Sequence, residues 1–306
     1  MSNFRFLRIG MTGAMVVALL LGAGCGGGGS GGGTIADLPA IGGAGTISGM
    51  VTKGPVASAT VTAYAVSGGQ MGIQLGTATT DAGGRFTMSI GTYGGPVMMR
   101  ASGGSYRDEA TGLAMGMDPA DVMTAMVPGV VASAGNDGIQ VTPITAMAQA
   151  MAQQMAGGMT VANMATANSA MGNYFSVSDI LHVQPMNPLT SGAGAGASQD
   201  ARNYGMTLAA MSQSARNINM PVSSALVTAM MNDASDAMMD GKRGASQISM
   251  GMGAMMGIAM MAPNSGTSGL AAAMYAFLNS SANVSGLTVA DMAALMQKLG
   301  SSSGRI

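Results

Sequence analysis

The chain has no tryptophan, one cysteine and one histidine among 306 residues, and only 8% of its side chains are charged. Each shortage excludes something. A single cysteine, Cys25, allows no internal disulfide, so the fold must hold by packing alone. A charged share this far below the usual ~25% leaves a surface of Ser, Thr, Asn, Gln, Gly and Ala. Twelve basic against thirteen acidic residues provide no basic stripe to neutralise phosphates, which argues against nucleic acid as a partner. With one histidine and no elbow of the Gly-x-Ser-x-Gly kind, a Ser-His-Asp constellation could form only through His182. No catalytic set is evident, and the expectation is a protein that is not an enzyme. Neither a cofactor loop nor a metal-ligand spacing is present: the glycine tract lacks Gly-Lys-Ser or Gly-Lys-Thr and a strand-to-helix switch.

What is present begins at the N-terminus. Arg5 and Arg8 precede an apolar run over residues 11–21, followed by Gly22-Ala23-Gly24-Cys25 and a glycine tract. A charged start, about a dozen apolar residues and small residues before a cleavage point read as an export signal over residues 1–24. The run is too short to cross a ~30 Å hydrocarbon core. Residues 21–25 resemble the lipobox of bacterial lipoproteins, with Gly22 where that pattern usually carries Leu, Val or Ile. The resemblance implies that Cys25 is diacylated, becomes the mature N-terminus and is the membrane partner of the protein. An ordinary signal peptide cut near Ala23 or Gly24 is the other reading of the same residues. Gly26 stands where inner-membrane lipoproteins often carry Asp, so the implied location is the outer membrane of a two-membrane bacterium. Residues 25–45 are rich in glycine and read as a flexible tether.

From residue 46 short runs of Val, Ile, Thr and Tyr alternate with Gly and Pro, and strands are expected at 47–53, 59–66, 73–80, 85–90 and 97–101. In the second, Val61, Ala63 and Ala65 fall on one face and Thr60, Thr62 and Tyr64 on the other. Ile47-Ser48-Gly49-Met50-Val51, Gly54-Pro55-Val56, Ala59-Thr60-Val61 and the stretch Thr80-Asp81 to Gly84-Arg85-Phe86 resemble the carboxypeptidase regulatory-like family. Related Cna-B-type and transthyretin-like domains share its β-sandwich. The resemblance covers residues 46–104 and implies a stalk or binding accessory without catalytic residues. Some Cna-B-type domains join a Lys to an Asn; Lys53 is the lysine available here, and the last strand offers no clear Asn.

Residues 105–141 read as a connector with room for extra strands near 122–131. After Thr142-Pro143, a cap followed by a proline suited to a first turn, the pattern turns helical. Helices are expected at 143–156, 160–174, 198–217, 222–238, 269–283 and 289–299, which makes residues 142–306 an all-α domain. The fold class is therefore α+β, an N-terminal β-sandwich followed by a helical domain.

Thirty-five methionines exceed twice the number of leucines. Met147, Met151 and Met155, and again Met252, Met256 and Met260, recur every four residues, as one face of a helix would show them. Thioethers so placed could take Cu(I). The plainer reading is core filled by a flexible, polarizable side chain. Asn232, Asp233, Ser235, Asp236, Asp240 and Gly241 form the densest acidic cluster; its spacing fails the EF-hand rule, and an exposed helix end is expected. The function these features suggest is a membrane-anchored binding or structural module with a protein or glycan ligand. A Met-rich Cu(I)-binding lipoprotein is the alternative.

Overall fold

The computed structural model describes residues 44–117, 120–220, 222–252 and 258–306. The expected leader, Cys25 and all but the last two residues of the expected glycine tether lie outside the described residues. Among the described residues no helix is long and apolar enough to cross a membrane. The chain is α+β: strands dominate its first part and helices its second.

Nine strands come first. They are β1 (Gly45–Val51), β2 (Thr60–Ser67), β3 (Gln70–Thr79), β4 (Arg85–Gly91), β5 (Gly95–Ser102), β6 (Ser105–Arg107), β7 (Ala114–Gly116), β8 (Val122–Val130) and β9 (Gly135–Val141). One sheet has the order β3-β2-β5-β8 and is antiparallel throughout. A second has the order β4-β1-β9, with β1 antiparallel to β4 and parallel to β9. Strands β6 and β7 form a separate ribbon. The β2–β3 hairpin closes on Gly68 and Gly69, both at positive φ (57° and 75°), the backbone a two-residue turn needs to match strand twist. The next turn is set by Asp81, whose carboxylate accepts from Gly83 N and Arg85 N at 2.8 Å each.

Alternation explains the strand-side core. In β4, Phe86, Met88 and Ile90 point inward while their neighbours are exposed. They join Ile47 and Val51 of β1, Val61 and Ala63 of β2, and Val97 and Met99 of β5 in one buried cluster fed by both sheets. The opposite face of the four-stranded sheet is covered at β5 and β8, while β3 stays largely exposed. Met98 and Met126, paired in register across β5 and β8, belong to a second cluster together with the helices. A sheet buried on both faces loses simple alternation, and β8 is accordingly buried over five consecutive residues.

The helices are α1 (Pro143–Gln154), α2 (Val161–Phe175), α3 (Gln199–Asn217), α4 (Ser224–Ala234), α5 (Ser268–Leu278) and α6 (Ala293–Gly300). The starts of α1, α2 and α3 follow from capping chemistry, whereas α4, α5 and α6 start without a side-chain cap. Thr142 caps α1 reciprocally with Thr145, with Pro143 in the first turn, and Thr160 and Ser198 accept from backbone N–H groups of α2 and α3. The cap of α1 is also tied to α3: the Tyr204 hydroxyl lies 2.6 Å from Thr142 Oγ1 and donates to Ile180 O at 3.0 Å. Short strand pairs β10 (Lys242–Arg243) with β11 (Ser246–Gln247), and β12 (Ser249–Met252) with β13 (Ile258–Met260), intervene between α4 and α5, so residues 142–306 are mainly helical and not all-α as expected.

That last pair corrects the sequence reading of Met252, Met256 and Met260. Met252 ends one strand and Met260 ends its partner, so they do not share a helical face; Met256 lies outside the described residues. A four-residue spacing fits a helix and a hairpin equally when the run is short and rich in glycine. The first trio does lie along α1 and its cap, with Met147 and Met151 in the helical core and Met155 half-buried.

Gly205 shows how tightly α3 is crossed. A Cβ there would lie 1.9 Å from Met186 O, because the 185–188 segment runs directly over the helix. Gly205→Ala should therefore destabilise the protein by about 3 kcal/mol or more, read as a lowered midpoint in urea unfolding. A substitution without effect would show that this crossing is loose.

Candidate functional site

A buried ionic cluster lies where the first sheet-connecting turns meet α3. Lys53 leaves the end of β1, and its ammonium donates to Glu109 Oε2 at 2.9 Å and to the Ser212 hydroxyl of α3. Ser212 in turn donates to the same Glu109 oxygen. Lys53 is fully buried, and Glu109 and Ser212 are nearly so. The ring of Tyr106 lies 5.5 Å from the ammonium, in cation–π range. Asp108 completes the group: its carboxylate accepts from Ser223 at 2.6 Å and from Thr111.

The electrostatics follow from these contacts. Burial by itself would lower the Lys53 pKa, but the Glu109 carboxylate, with Tyr106 and Asp108 beyond it, outweighs burial and raises it above the ordinary lysine value. Burial would likewise raise Asp108; Lys53 and the hydroxyls of Ser223 and Thr111 outweigh it and hold the carboxyl below the usual range. Lys53 is thus a held cation. A protonated lysine takes no proton from Ser212, whose hydroxyl donates instead to Glu109. None of the polar contacts made by Lys53 is to an asparagine.

Two clefts flank the cluster. The first, about 570 Å3, has Glu109 in its wall and α3 along one side through Ala201 and Leu208. Met50 and Pro55 form the strand side, Met186 and Pro188 the loop side, and Arg85 also lines it. The second, about 280 Å3, is lined by Asp108, Ser212 and Ser223 together with Arg216. The cluster is therefore the partition between two openings. An apolar cleft of this size with a few convergent polar groups has the make-up of a ligand site.

Sequence reasoning singled out other residues. His182 is half exposed in the turns after α2, with Nδ1 2.7 Å from Asp179 Oδ2, and its recorded side-chain contact is this carboxylate alone, not a serine hydroxyl. Among the described residues no group of three or more His, Cys, Asp or Glu could hold a metal ion. In the acidic cluster, Asp236 is exposed, but Asp233 is buried, which corrects the reading of both as an exposed helix end. Asp233 Oδ1 accepts from Asp240 N at 3.0 Å and Gly241 N at 2.7 Å, pinning the chain that leaves α4. Its Oδ2 is buried with no partner among the described residues. Burial pushes the Asp233 carboxyl up to about 6 against the opposing pull of the Gly241 and Asp240 amides.

The Lys53 cluster was missed because its members are spread over 159 positions. One signal was available. Lys53 is a lone lysine within an apolar strand pattern, and a charge in such a place needs a partner.

Two outcomes test this reading. Lys53→Met should cost about 3–5 kcal/mol, because Glu109 and Ser212 would be left buried without their cation. Adding Glu109→Leu should recover most of that loss in the same unfolding assay, and a double variant no better than the single one would contradict the pairing. For Asp233 the folded pKa lies above the unfolded one, so the folded state binds the proton more tightly between about pH 4 and pH 6. Stability from this group should rise as pH falls through that window. Unfolding curves of the parent protein against Asp233→Asn should differ in pH slope there, and equal slopes would refute the assignment.

No protein-family model matches the chain, and no curated protein matches it. Among solved structures it is similar to a 9R-lipoxygenase from Cyanothece PCC8801, at 13% sequence identity over 66% of this chain and 26% of that one, with a TM-score of 0.23. The chain spans about a quarter of that enzyme's length, and so loose a superposition transfers neither fold nor activity.

Proposed function

We propose that this protein is an exported bacterial lipoprotein, held to the outer membrane through acylated Cys25, which acts as a non-catalytic binding module. The observation that carries the binding role is the cleft of about 570 Å3, walled by strand-side turns on one side and by α3 with its crossing loop on the other. The strand-rich part is read as a β-sandwich of the carboxypeptidase regulatory-like kind. Its support is the buried cluster shared by β4-β1-β9 and β3-β2-β5-β8. The helical domain follows it and covers the outer face of the four-stranded sheet at β5 and β8 through Met98 and Met126. A non-catalytic role is favoured by the state of the charged groups beside the cleft, since Lys53 and Glu109 neutralise one another. The Cu(I) alternative gains nothing from Met147 and Met151, which are enclosed among apolar side chains.

Anchoring rests on the residues around Cys25. Two or three acyl chains, at about 0.8 kcal/mol per buried methylene, make attachment effectively stable, and a glycine tether then gives reach from the membrane. Mass spectrometry of the mature N-terminal peptide should find Cys25 first and acylated. Cys25→Ala should release the protein from the membrane fraction. An unmodified N-terminus at any other residue would overturn the anchor.

A further inference from the structure

Charge in the first cleft is not balanced. Glu109 and Arg85 are the charged side chains that line it, and Glu109 is already neutralised by Lys53 at 2.9 Å. Arg85 opens β4, is exposed, and forms no ion pair among the described residues. The uncompensated charge facing the cleft is therefore a guanidinium. The remaining walls are mainly aliphatic or thioether, from Met50, Pro55, Met186, Pro188 and Leu208, with Thr52, Gln184 and Asn187 as neutral polar members. No aromatic side chain lines the cleft, so it offers no face on which a sugar or a nucleobase would stack.

We propose that this cleft binds an aliphatic carboxylate: a molecule with an apolar, non-aromatic body and one free carboxyl group. Its body packs on Met50, Pro55, Met186 and Leu208, and its carboxylate takes the Arg85 guanidinium. The planar fork of arginine matches a carboxylate with two parallel N–H···O bonds, which a neutral alcohol or an ammonium group does not provide. Methionine on facing walls suits an aliphatic body of variable shape, because its side chain repacks at little cost. This inference rests on the binding role proposed above and supplies its ligand class. A short-chain fatty acid and the C-terminus of an aliphatic peptide carry the same chemistry.

The test uses the full-length chain with methyl-labelled methionine, following the Met50 and Met186 resonances. Hexanoate represents the free acid and N-acetyl-Leu-Ala the peptide carboxylate; hexylamine and the amide of the same dipeptide are the controls. At least one carboxylate should shift both resonances saturably, with affinity about tenfold above its control, and the one that does so names the source. Arg85→Gln should weaken that binding about tenfold at an unchanged unfolding midpoint. Ala201→Leu, which fills the cleft from α3, should abolish it. Carboxylates that leave both resonances unmoved, or an Arg85→Gln variant that binds as well as the parent, would overturn the proposal. Saturable binding of hexylamine alone at the same methyl groups would overturn the ligand class and keep the binding role. The acylation of Cys25 is decided separately by N-terminal mass.

Discussion

One buried cation governs how the strands meet the helices. The Lys53 ammonium lies with no solvent contact between the end of β1 and the middle of α3, and moving such a charge out of water costs several kcal/mol unless it is fully paired. Glu109 and Ser212 provide the pairing, and each comes from a different part of the chain. The arrangement therefore fixes position more than it adds stability: Lys53, the turn holding Asp108 and Glu109, and α3 must all arrive together. Asp108 extends the same demand to the residues before α4 through Ser223.

Helix α3 is the member through which these constraints pass. Tyr204, Leu208 and Ser212 recur every four residues, so one face carries in turn the hydroxyl tied to the α1 cap, a wall of the cleft and the partner of Lys53. Gly205 lets the 185–188 loop lie against that helix, and the loop with the helix encloses the cleft. The cleft and the packing are thus one arrangement. Glu109 of the ionic cluster stands in the wall of that space.

Methionine is the material of both cores. Met88, Met99 and Met123 pack between the sheets, and Met147, Met164, Met206 and Met274 pack among the helices. An unbranched thioether fills irregular space where leucine would demand a better fit, and a chain with few aromatics has much irregular space to fill.

Much of the secondary structure was legible because its signals are local. The first five strands follow from alternation and turn chemistry, such as the Asp81 turn, and the first three helices from the capping residues Thr142, Thr160 and Ser198. Strand β9 was hidden, since Gly135-Asn136-Asp137-Gly138 shows no apolar alternation and is held by pairing parallel to β1. The burial of Asp233 was hidden too, because it depends on a loop seven and eight residues further on.

The sequence by itself determined the α+β composition, the first five strands and the approximate places of the helices, for each depends on residues within one turn or one strand; the proposed role of Cys25 rests on one short motif. Tertiary structure alone decided that Lys53 is a paired and buried cation, that β5 and β8 are covered on both faces, and that a cleft opens beside α3. The physical reason is range. Alternation, capping and turn formation act over a few residues, whereas charge neutralisation and cavity shape depend on which distant side chains share one volume.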